Sequence, residues 1–124
     1  MSPETRPARH SRNEDAESFL PLGAPAFHIL LALGEEVLHG YAIQQRFERE
    51  GPGERILPGT LYSTLSKMSA RGLVEETEER PDDHDPRRRY YRATALGRQV
   101  AAAEAERMAR LVAFARKQAI LPGR

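Results

Sequence analysis

The sequence predicts a mainly α fold with one small β-hairpin, closed by a long C-terminal helix. Three observations predict it. Apolar residues recur at helical spacing in three short segments between Pro25 and Arg71. The pattern then turns extended on both sides of a polar, turn-rich loop, Arg80 to Pro86. An Ala-rich run follows from Ala95 to about Ala119, with no proline to break it before Pro122.

Taken in order, Met1 to Ser18 is polar, carries Pro3 and Pro7, and reads as a disordered arm. Its Arg6, Arg9 and Arg12 read as solvated cations. Pro25 to Leu33 reads as a first helix: Phe27, Leu30, Leu31 and Leu33 are apolar on much of the circumference, so it should be buried on two sides. Pro25 suits a first turn and Gly34 a stop. Glu35 to His39 reads as a short connection. A second helix spans about Gly40 to Glu50, on Tyr41, Ile43 and Phe47, and Gly51-Pro52-Gly53 breaks it. Tyr41 reads as a DNA contact or as mainly core. A third helix runs from Pro58 to Arg71, with Leu61, Leu65 and Met68 on one face and Gly72 just past its end. Leu73–Glu79 and Arg87–Ala93 read as the two strands of the hairpin. Thr94 is placed to cap the last helix.

Composition narrows the function. The 124 residues suit one domain plus appendages, and the net charge of +1 alone says nothing about partners. The kind of cation says more: 17 of the 19 basic residues are Arg, which makes bidentate contacts with phosphate and guanine. Absence of Cys removes disulfides, thiol nucleophiles and Cys-based zinc sites. With scattered His and no glycine-rich phosphate motif, nothing points to an enzyme, and no cofactor is expected. Asp82, Asp83, His84 and Asp85 are adjacent in a polar loop, a solvated arrangement rather than a metal site. No run approaches the ~20 apolar residues of a membrane span, and no signal peptide is visible. The expectation is a cytoplasmic protein with no membrane partner.

Three short helices followed by a hairpin is the winged helix-turn-helix order. The third helix has an apolar face to hold it and an outer face of short polar groups, Thr60, Ser63 and Ser66, with Lys67 and Tyr62 beside them. Such a face fits a major groove. Arg87, Arg88 and Arg89 leave the loop of the wing, where alternation sends Arg87 and Arg89 to one side and Arg88 to the other. They should reach backbone phosphates. Tyr41 and His39 flank the start of the second helix, where a phosphate contact competes with local packing and turn chemistry for His39. Of Tyr90 and Tyr91, one is expected to pack on the core and the other to lie at its edge.

From Phe27 to Gly97 the chain resembles the PadR-type transcriptional regulators. The matching pieces are Ile29, Leu30 and Leu33, then His39-Gly40-Tyr41-Ala42-Ile43, and Pro58-Gly59-Thr60-Leu61-Tyr62 with Leu65. Arg71-Gly72-Leu73-Val74 follows, and Arg88-Arg89-Tyr90-Tyr91-Arg92-Ala93-Thr94 with Gly97 completes the series. The resemblance implies a homodimeric regulator, usually a repressor, on a palindromic operator. It also implies a short form with a single C-terminal dimerisation helix. Three positions depart from the pattern. Leu57 replaces a common capping Ser, Ser63 replaces a frequent Pro, and the loop Asp82–Asp85 is acidic. An acidic tip should stay out of the minor groove and leave the contact to Arg87–Arg89.

The last helix carries an apolar stripe, Ala101, Ala105, Met108, Val112, Ala115 and Ala119, beside a second of Leu96, Val100, Ala103, Leu111 and Phe114. That sector is wider than one small domain can cover. Ala101, Ala105, Met108, Leu111, Val112 and Ala115 are therefore the expected dimer contacts. The organisation expected is an arm at 1–18, the winged domain at 19–94, the dimerisation helix at 95–120 and a tail at 121–124. The partners expected are double-stranded DNA, a second copy, and a small-molecule effector that the sequence does not identify. A winged helix used for protein contact alone is the rival reading; it would keep the fold and lose the outward cations.

Overall fold

A computed structural model describes residues 15–81 and 85–123. The element order is α1 (Ala24–Leu33), β1 (Leu38–His39), α2 (Gly40–Glu50), α3 (Pro58–Ala70), β2 (Val74–Thr77), β3 (Tyr90–Ala93) and α4 (Ala95–Lys117). The fold class is the expected one, with a third strand added. Leu38 and His39 pair antiparallel with Tyr91 and Tyr90, so the sheet order is β1-β3-β2. Two residues are too few for an alternation pattern, which is why this segment reads as a mere connection in sequence.

α1 is central. It packs on α2, α3 and α4, and Phe27, Ile29, Leu30, Ala32 and Leu33 are buried, in keeping with a helix covered on two sides. Leu31 points out and is 51% exposed. Ile43 and Phe47 of α2, Leu61, Leu65 and Met68 of α3, Leu73 and Val74, and Val100 of α4 complete the core. α3 ends where Arg71 closes the last turn and Gly72 takes φ +80, the left-handed conformation expected after a helix. The Thr94 hydroxyl accepts the Gly97 N–H at 2.9 Å and donates to the Gly72 carbonyl, tying α4 to the end of α3.

Several boundaries differ from the sequence reading. The strands are shorter than Leu73–Glu79 and Arg87–Ala93, so Arg87–Arg89 precede β3 rather than lie in it. Tyr90 and Tyr91 are both buried, Tyr91 in the hydrophobic core and Tyr90 under the Arg80 guanidinium beside the His39 ring. Tyr41 is not core; it is 55% exposed. Residues 15–18, placed in the expected arm, are among the described residues. Residues 15–17 are helical, Ala16 is buried, and the Arg71 guanidinium lies 4.2 Å from the centre of the Phe19 ring. The rest of the expected arm, with Arg6, Arg9 and Arg12, lies outside the described residues, as do Asp82, Asp83 and His84.

Candidate nucleic-acid interface

α3 is anchored by its i, i+4, i+7 stripe, Leu61, Leu65 and Met68, each at most 3% exposed. That anchorage turns Thr60, Tyr62, Ser63, Ser66 and Lys67 outward; all five are exposed. Pro58 opens the helix, and Leu57 provides no side-chain cap, as its replacement of a hydroxyl residue implies. Lys67 makes no ion pair within the described residues.

His39 holds the start of α2. Its Nδ1 accepts the Ala42 N–H at 3.2 Å, so this histidine is the N-cap of the helix. The ring is 5% exposed and stands edge-on to Tyr90. Turn chemistry thus accounts for His39, and its pairing with Tyr90 in the sheet brings the start of α2 beside the wing. Gly40 has a different cause. A Cβ there would meet the Tyr62 hydroxyl at 2.5 Å. The end of the Tyr62 ring occupies the space that a side chain at position 40 would take, so glycine there lets it sit against the start of α2.

The wing is organised by Arg80. Its guanidinium donates to the carbonyls of Asp85 (2.6 Å) and Arg88 (2.9 Å) and covers the Tyr90 ring at 4.8 Å. Arg88 turns inward, with Nη1 3.1 Å from His39 Nε2. Arg87 and Arg89 turn outward, their side chains 89% and 72% exposed. The three arginines therefore separate into one inward and two outward, as alternation predicts, although they stand in a turn closed by the Arg88 N–H to Asp85 carbonyl bond. Arg92 is not available to a ligand in the same way. Glu75 and Glu79 flank it, and the hydrogen bond that Arg92 Nε donates to Glu75 leads in raising its pKa.

These pieces enclose a cleft of about 570 Å³ lined by His39, Gly40, Tyr41, Tyr62, Asp85, Arg87, Arg88, Arg89 and Tyr91. The structure thus gathers His39, Tyr41, Tyr62 and Arg87–Arg89 around one concavity. Thr60, Ser63, Ser66 and Lys67 lie on the convex face of α3. Cations, a phenol and the start of a helix make a seat suited to an anion, and the convex helix beside it is the shape that enters a groove. Among the described residues no group of three metal-ligating side chains occurs.

The expected dimer contacts fall into two groups. Ala101 is half-buried against the core of its own chain. Ala105, Met108, Leu111 and Val112 are exposed, with Met108 at 39% and Leu111 at 54%, and Ala115 is half-buried. Phe114, 59% exposed, extends the same region. Sequence reasoning missed Arg80, which donates to two backbone carbonyls of the wing, and Glu104. Glu104 is fully buried in α4. It receives Arg107 Nε and Nη2, each at 2.8 Å, and the Leu22 N–H. The Arg107 hydrogen bonds, foremost, hold its carboxyl below the usual range. A lone Glu in an Ala-rich helix gives no sequence signal of burial.

No helix of the described residues is long and apolar enough to cross a membrane. The sequence model of the transcriptional regulator PadR-like family matches residues 29–103. The transcriptional regulator Rv3488 of Mycobacterium tuberculosis is 39% identical over 75 residues, which are 60% of this chain and 66% of that protein. An uncharacterized 37.1 kDa protein in a transposon of Streptomyces fradiae is 40% identical over 83 residues, 67% of this chain and only 22% of that protein. Among solved structures, a PadR family transcription regulator of Clostridium difficile superposes with a TM-score of 0.66 at 21% identity, over 80% of this chain and all of that one. Bacillus subtilis PadR in complex with operator DNA superposes with a TM-score of 0.56 at 20% identity, over 80% of this chain and 64% of that one. At these identities the likeness is one of fold.

Proposed function

The chain belongs to the PadR-like family of DNA-binding transcriptional regulators, and we propose that it works as a homodimeric repressor on a two-fold symmetric operator. The family is one of regulators, not enzymes. In this reading α3 enters the major groove with Thr60, Ser63 and Ser66 against base edges and Lys67 on a guanine edge or phosphate. The cleft holds a backbone phosphate among Tyr41, Tyr62 and Arg87–Arg89, with His39 fixing the start of α2. A second copy joins through Ala105, Met108, Leu111, Val112 and Ala115, and Ala101 contributes at the edge of the interface. Two heads then meet successive half-sites. An effector of unidentified chemistry that alters the separation of the heads would release the operator. The site of action is the cytoplasm, where the genome is.

The observation that carries this reading is the convergence of three separate elements, the α2 start, Tyr62 of α3 and the wing arginines, on one cleft beside the polar face of α3. Retention of Lys67 and Arg87–Arg89 favours DNA over a purely protein-binding winged helix. The test is polarisation titration of a duplex spanning the DNA upstream of this chain's gene. Salt-sensitive binding by a folded dimer is expected. Absence of binding to any duplex from that region would remove the reading.

A further inference from the structure

One carboxylate stands inside the ring of donors that lines the cleft. Asp85 Oδ1 accepts the Arg87 backbone N–H at 3.0 Å and Arg87 Nε at 3.3 Å, and Oδ2 accepts Arg87 Nη2 at 3.4 Å. The backbone bond first, then the side chain of Arg87, keeps this carboxyl below its ordinary pKa, so it is ionised at neutral pH. Two oxygens facing a guanidinium fork is also how a phosphodiester meets an arginine. The Arg87 side chain is 89% exposed, so its ion pair with Asp85 is of the solvent-screened kind that contributes little net stability. Exchange of one anion for another at Arg87 is therefore easy.

We propose that Asp85 is an internal stand-in for a DNA phosphate: it holds Arg87 in the free protein, yields it to the backbone on binding, and then opposes the phosphate as a like charge. The proposal rests on the reading of the cleft as a phosphate seat. Its consequence is a built-in brake on affinity. Phosphate contacts carry no sequence information, so the brake acts equally on operator and on unrelated duplex. It lowers occupancy of bulk DNA without changing the preference for the operator.

Asp85 has a second role that must be separated from the first. An acceptor oxygen bonded to the N–H two residues on is an Asx turn, which shapes the chain. Asn retains that bond and loses the charge; Ala loses both. The experiment measures full-length wild type, Asp85→Asn and Asp85→Ala on the upstream duplex and on a scrambled duplex of equal length, over a range of salt. Circular dichroism verifies the fold of each protein. Asp85→Asn is expected to bind both duplexes about three- to tenfold more tightly at low salt, with the gain shrinking as screening grows. Wild type that binds while Asp85→Asn gains nothing, or loses affinity together with Asp85→Ala, overturns the proposal and leaves the DNA reading standing. A gain on the operator alone also overturns it, because a phosphate brake cannot choose sequence. If neither protein binds any duplex, the DNA reading falls and the brake with it.

Discussion

The head and the distal half of α4 solve opposite problems. In the head, large apolar side chains such as Ile29, Leu33, Ile43, Leu61 and Leu65 are sealed within one chain, and the outer face is left to hydroxyls, tyrosines and arginines. In α4 the first turns are sealed by Val100 and Glu104, but beyond Ala105 the helix leaves its own domain. Met108, Leu111, Val112 and Phe114 then stand exposed in sequence neighbourhood. The head is complete as a fold and needs a ligand. The distal helix is incomplete as a surface and needs a second apolar face. One chain thus holds a finished recognition unit and, in the proposed reading, half of an assembly unit.

The largest predicted effect follows from breaking the second half. Met108→Glu with Val112→Glu is expected to yield folded monomers by sedimentation. Operator affinity should fall about a hundredfold or more, because two linked heads bind with an advantage of that order. A dimer that survives both substitutions would refute the interface. Next in size is the wing. Arg88→Ala with Arg89→Ala should reduce the log–log salt slope by up to about two units, read by polarisation at several salt concentrations. Lys67→Ala should take away about one unit in the same assay. Unchanged slopes would mean that these cations face solvent in the complex.

A smaller effect is expected at the seam between α2 and α3. Gly40→Ala pushes Tyr62 from its place over the first turn of α2. Loss of one tyrosine contact is worth about 1 kcal/mol, a reduction of about fivefold in affinity, while the dimer should persist. The smallest effect on DNA binding belongs to Glu104→Gln, which acts on stability. Loss of charge-assisted bonds from Arg107 and Leu22 should cost about 1–2 kcal/mol in denaturant unfolding. The sign with pH is fixed by the direction of the shift. The folded carboxyl has a lowered pKa, so its contribution is complete above the ordinary glutamate value of about 4.3 and disappears as pH falls through the folded value. Wild type should lose stability in acid more steeply than Glu104→Gln.

The contrast between head and tail also explains what could be read in the sequence. Local periodicity made α3 legible, because Leu61, Leu65 and Met68 write their own helix, and Thr94 announces its cap three residues ahead of Gly97. The wing arginines were legible as a run of charge. What escaped depends on partners that periodicity does not announce, some distant in the chain and some near. Gly40 is fixed by Tyr62, and His39 by Tyr90 and Arg88, both across long intervals. Arg80 donates to the carbonyls of Asp85 and Arg88, which carry no side-chain signature. Glu104 is buried with its charge met by Arg107, three residues on. Tyr41 allows both readings in sequence, core or DNA contact, since an aromatic at a helix start looks the same whether it packs inward or lines a cleft.

The central claim is that a self-contained DNA-reading head is doubled through an incomplete helix. It is tested most directly by titrating the upstream duplex with wild type and with the Met108→Glu, Val112→Glu protein, measuring affinity, salt slope and stoichiometry together. The account predicts two wild-type protomers per site, with affinity falling linearly in log–log salt, and a folded monomeric variant that binds far more weakly with a shallower slope. Equal affinity and slope for dimer and monomer, at one protomer per site, would contradict it.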